Sequence, residues 1–277
     1  ADHSDYRHDP WGRLHRTGRF VGGTTFGSTE TAERLIRRVR AIHGRVVGEA
    51  PDGTPYAAND PRLLLWVHIT EVDSFLRAYL RYGQGRLTDA ECDRYVAEMA
   101  EIARRLGAED VPETVAELDA CLEGFRPECH VGGQAREGLR FLLFPPVPLA
   151  LRGAYGLITA AAVGLLPGWG RSMMRLPMPP GLDPIAIRPA ATVLTRAIGW
   201  LMGADRDVEL VFLVAQVRVV LAEVALHTRG AQVGAGQAMG DGVLAGNDAD
   251  IAAAVDDNPV AAQETVELVD AGLVLVE

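Results

Sequence analysis

A chain of 277 residues, 48% of them hydrophobic and 23% charged, carries enough apolar material to bury a full core, as one large domain or two small ones. A net charge of −10 with only 6% aromatic residues excludes phosphate neutralisation and base stacking, and so nucleic acid, as its main business. Every basic side chain is arginine and none is lysine, which excludes Schiff-base lysine chemistry and a P-loop lysine.

The chain opens on polar residues with no charged-then-apolar leader, and an upstream segment is expected to be missing. The first structural signal is Asp9-Pro10-Trp11-Gly12-Arg13-Leu14-His15-Arg16-Thr17, where Arg13 and Thr17 stand four apart and share a face if the stretch is helical. Gly22 to Gly27 is glycine-rich but follows no strand, and reads as a flexible connection. Ser28 or Thr29 caps a helix through about Val47, with Leu35, Ile36, Val39, Ile42 and Val46 at helical spacing. Pro51-Asp52-Gly53-Thr54-Pro55 is turn chemistry. Asp60 caps and Pro61 opens a helix to about Tyr82. Thr88 to Glu91 is a capping box, and Gly107 stops that helix. Pro112 begins another, ended by Gly124.

From Val147 to Leu166 the chain is nearly all apolar over about 20 residues, long enough to span a bilayer. Arg152 inside it costs roughly 2.5–3.5 kcal/mol on insertion scales, so a buried core helix is the expected outcome and a membrane-surface role is not favoured. Helices over about Ile185–Met202 and Val208–Leu226 follow. After His227 the composition turns to Gly, Ala, Val and Asp, and a loosely packed or disordered tail over 227–277 is expected. No alternating apolar run argues for a sheet, so the expected fold is all-α, with residues 1–226 as its helical domain. Cys92, Cys121 and Cys129 are odd in number and without CxxC spacing, as free thiols in a reducing, cytoplasmic compartment would be.

His43 shares a helical face with Ile36, Val39 and Val47. Neutral imidazole on an oily face is either a hydrogen-bonded core group or a proximal ligand to haem iron, and the residues alone favour the first. Arg40, one turn earlier, and Arg45 have the guanidinium chemistry that pairs with haem propionates. His68, with Glu71 one turn on, is the rival. A di-iron bundle needs two Glu-x-x-His motifs and two further Glu, which are absent, so an orienting or structural role is expected there. There is no GxSxG elbow, HExxH or GxGxxG after a strand.

Taken in order, Asp9-Pro10, Arg13, Arg16-Thr17, Arg40, His43, Gly48 through Tyr56, Asp60-Pro61, Trp66-Val67-His68, Thr88–Glu98, Phe144-Pro145-Pro146 and Leu166–Pro177 resemble the haem-dependent oxygenases that group latex-clearing proteins (rubber oxygenases) with MpaB-type oxygenases. The resemblance spans roughly residues 5–203. It implies a globin-like helical core with additional helices, a b-type haem whose iron is held by His43, and Arg13, Thr17 and Arg40 near that haem. Arg13 and Thr17 would also serve the catalysis. It implies oxidative cleavage of C=C bonds in an apolar, isoprenoid-type substrate by dioxygen. In the rubber-cleaving branch a lysine stands where Arg16 stands here, and that branch's basic carboxylate would precede Ala1. The other readings are a non-enzymatic helical carrier for haem or an apolar ligand, and a membrane-associated interaction protein.

Overall fold

The computed structural model describes residues 10–49, 55–83, 85–145, 148–176, 178–179, 181–193, 207–225, 227–228 and 231–232. They form an all-α protein, as the periodicity predicts, in two compact units. One comprises Ala1–Val46 with Gly236–Glu277, the other Val47–Ala235. The expected tail falls almost wholly outside the described residues.

In the first unit, α1 (Pro10–Thr25) packs on α2 (Thr29–His43). The glycine run is not a flexible connection, because Gly22 and Gly23 lie inside α1. The lack of a side chain at Gly23 lets two helices meet, because a Cβ there would collide with the Leu35 side chain. The turn at Gly27 is equally tight: a Cβ there would strike the Gly23 carbonyl oxygen. Ser28 caps α2, its Oγ accepting from the Thr31 N–H at 3.2 Å. The helix ends at His43, a turn earlier than expected. Gly44 donates back to the Arg40 carbonyl, and Val47, expected on the buried stripe, is 61% exposed at the start of a strand.

The second unit opens on a short antiparallel hairpin, β1 (Val47–Glu49) against β2 (Pro55–Ala57), with Gly48 opposite Tyr56. These three-residue strands are too short for period-2 alternation to show in the sequence. The central element is α3 (Pro61–Tyr82), started by Asp60, whose Oδ1 accepts from the Arg62 N–H at 2.8 Å. Against it lie α4 (Asp89–Leu106), with the expected Thr88–Glu91 capping box and a left-handed Gly107, and α5 (Val115–Phe125). The α5 cap is Thr114 rather than Pro112, and Gly124 lies within the helix. One core gathers Leu64, Trp66, Ile69, Val96 and Leu118. Its end is closed by Phe125, 5.2 Å from Trp66, with the Arg62 guanidinium 4.4 Å over the Phe125 ring.

A second core is built by α6 (Gly133–Leu143), α7 (Arg152–Leu165), α8 (Gly168–Met174) and α9 (Asp207–Ala225). The long apolar run does not form one span. Pro148 and a 3₁₀ turn at Leu149–Leu151 precede α7, which is 14 residues long. Among the described residues no helix is long and apolar enough to cross a membrane. A π-helical turn, Asp183–Ile187, continues helically to residue 193, and α9 then packs on α3 and α7. Two-residue strands β3 (His227–Thr228) and β4 (Ala231–Gln232) pair antiparallel. Cys92, Cys121 and Cys129 are free, as their spacing predicts.

Candidate functional site

His43 is the last residue of α2, and Ile36, Val39 and Ile42 on the same helix are buried with it. Its own exposure is 8%. A helix C-terminus favours the imidazolium, whereas burial favours the neutral ring. Burial wins here: desolvation pushes the His43 pKa below its ordinary value, so the ring is uncharged at neutral pH with a lone pair on one nitrogen.

The other predicted site residues fall around it unevenly. Arg13 and Thr17 both lie on α1, and Thr17 is half-buried, while the Arg13 side chain is outside the described set. Arg40 sits in the last turn of α2 and is exposed. Arg45, just past the helix, is exposed. Its Nε donates to the Ala41 carbonyl at 3.2 Å, closing the end of the helix. Two cavities are formed by the second unit, and none of Arg13, Thr17, Arg40 or His43 lines either.

His68 is half-buried in α3, its Nε2 shielded from solvent and without a hydrogen-bond partner among the described residues. Burial, helped by the charge of Arg104, pushes its pKa down to about 4. The ring is therefore neutral. The nearby Glu71 charge, after burial, raises the Tyr95 phenol. Among the described residues no group of three or more His, Cys, Asp or Glu could hold a bare metal ion. A haem would need a single nitrogen donor from the protein, which a buried neutral imidazole suits.

Sequence reasoning missed a polar network in the second unit. Asp73 on α3, 4% exposed, is held by two arginines. Arg77 Nε donates to its Oδ1 at 2.9 Å, and Arg218 of α9 pairs with its Oδ2. Arg218 also donates to Ser74 Oγ at 2.9 Å and to the Leu165 carbonyl at 3.1 Å. Arg77 reaches on to Asp119 of α5 at 2.5 Å. The signal was present: Arg218 is the one basic residue in an otherwise oily helix, Val208–Ala225.

Among the described residues the helical fold thus holds two neutral imidazoles, His43 and His68, each with a lone pair to offer. Residues 1–203 match the family model described as ER-bound oxygenase mpaB/B'/Rubber oxygenase, catalytic domain, and the chain belongs to that family. Among curated proteins it is similar to an uncharacterized protein of Mycobacterium tuberculosis and one of Mycobacterium bovis. Each is 32% identical over 183 residues, covering 62% of this chain and 68% of theirs. No solved structure matches significantly.

Proposed function

We propose that the chain is a haem b oxygenase that cleaves a C=C bond in an apolar, isoprenoid-type substrate, and that His43 would hold the iron. The observation that carries this is a buried imidazole kept neutral by desolvation, at the position that the oxygenase resemblance assigns to the ligand. The resemblance supplies the substrate class; the ring supplies the fit.

Haem, when bound, provides the iron at which dioxygen is activated. The protein's own part starts with α2. Its buried stripe of Ile36, Val39 and Ile42 fixes the His43 backbone, and removing water from the ring keeps it unprotonated and able to donate its lone pair. Thr17 supplies a hydroxyl that donates or accepts, and Arg13 and Arg40 supply guanidinium donors suited to a propionate or another anionic oxygen.

Protein expressed with a haem supply should show a Soret band that shifts with dithionite, and His43→Ala should lose it, while His68→Ala should keep it. A Soret band unchanged in His43→Ala overturns the assignment. Bound haem without consumption of dioxygen in the presence of an isoprenoid alkene would make the protein a haem carrier.

A further inference from the structure

A second site stands independently of His43, because it lies wholly within the second unit. A cavity of about 480 Å³ opens between α3, α5, the α7–α8 junction and α9. That is within the size range of small-molecule sites. Its greater part is apolar, walled by Leu80, Leu122, Leu165, Leu166, Trp169 and Met174.

The charged residues that line it are Asp73, Asp119 and Glu123 together with Arg77, Arg81, Arg188 and Arg218. The three acids are matched inside the protein. Both Asp73 oxygens are taken by Arg77 and Arg218, and Asp119 takes the other branch of Arg77. Glu123 accepts from the Trp169 indole at 2.9 Å and pairs with Arg126 at 3.3 Å. Arg218 spends its donors on Asp73, Ser74 and the Leu165 carbonyl. Arg188, exposed on the helical segment that follows the π-turn, has no ion pair or side-chain hydrogen bond among the described residues. Arg81 makes an interaction of its own, and the Arg188 guanidinium is left bordering an apolar hollow.

We propose that this cavity binds an amphipathic carboxylic acid, its hydrocarbon chain on the leucine, Trp169 and Met174 wall and its carboxylate on Arg188. A carboxylate at the end of a hydrocarbon chain matches one guanidinium beside an apolar wall. Guanidinium pairs with carboxylate through two parallel N–H donors, and the apolar wall gains from covering the chain. Neither half alone would be selective: the wall takes any hydrocarbon, and the exposed arginine any anion.

Trp66 and Trp169 both line the cavity and report on its filling. Titrating the full chain with dodecanoate should change tryptophan fluorescence saturably, and dodecanol should bind about tenfold more weakly, the difference of about 1.4 kcal/mol expected of one charge-assisted pair. Arg188→Gln should remove that preference while keeping the thermal melt of the parent, since its side chain is exposed and holds no ion pair or hydrogen bond among the described residues. Leu122→Trp, which fills the wall, should weaken acid and alcohol alike. Equal affinity for acid and alcohol, a preference that survives Arg188→Gln, or a non-saturating response of detergent type would each overturn the proposal. Competitive displacement of dodecanoate by haemin in the His43→Ala protein would overturn it too, by giving the hollow to a porphyrin.

Discussion

Asp73 and Arg218 show how much one residue can carry when water is excluded. Each is about 6% exposed at the side chain, and the pair joins α3 to α9 across 145 positions of sequence. Removing one partner strands the other charge in a medium that cannot solvate it. Asp73→Ala should lower unfolding stability by about 3–5 kcal/mol, whereas Asp73→Leu combined with Arg218→Met should lie close to the parent. Guanidinium melts of the three proteins check this; a single variant within 1 kcal/mol of the parent, as an order-of-magnitude threshold, would refute it. His68 acts through protons instead. Its folded pKa of about 4 lies below the ordinary 6.5, so the unfolded chain binds the extra proton between those values. Stability is then fully present above pH 6.5 and is lost as the pH falls towards 4, by on the order of 3 kcal/mol for this residue. His68→Leu should flatten that acid limb of the stability curve. A limb of unchanged steepness would assign it to other groups.

Among the elements, the caps were the most legible part of the sequence, because a cap is a local event between residues three or four apart. Thr88 with Glu91, and Asp60 with Pro61, start their helices where the sequence places them. Gly107 stops α4 with φ at 112°, a region closed to residues with a Cβ at low cost. Gly107→Ala should cost about 1–2 kcal/mol, and Thr88→Ala about 1 kcal/mol, both read from thermal melts. A Gly107→Ala protein as stable as the parent would mean that α4 can end elsewhere. What the sequence hid was set at a distance. The α1 glycines read as a loop by composition, yet they are helical because Gly23 gives Leu35 of α2 room to approach. Val47 continues the periodicity of α2 but leaves the helix, since the Gly44 turn diverts the chain into a hairpin with Tyr56. His43 itself was legible as an inward ring from its apolar neighbours, whereas the Arg45 hydrogen bond to the Ala41 carbonyl was not, because it depends on where the helix ends.

For the whole molecule, the consequential fact is that the second core is closed by a helix beyond the stretch that matches the oxygenase family. The match ends at residue 203, and α9 begins at Asp207. Yet Val214, Ala215 and Leu221 are fully buried, and Gln216 and Arg218 nearly so. They pack against α3 and α7, the same helices that carry Asp73, Ala161 and Ala162 into the interior. Cutting the chain after residue 206 would therefore uncover two apolar faces and leave Asp73 without Arg218. Losing the burial of even three such side chains costs about 1.5–3 kcal/mol each for the larger ones, comparable in sum with the whole stability of a typical domain. The truncated chain should keep far-UV helical signal from α1 to α8, lose its near-UV signal and cooperative melt, and bind a hydrophobic dye. A sharp melt close to that of the full chain would show that the matched region folds alone and that α9 is an accessory. The expected outcome makes α9 part of the minimal folding unit, whatever the family boundary, and any assay of haem binding or alkene cleavage should use a chain that reaches at least to Ala225.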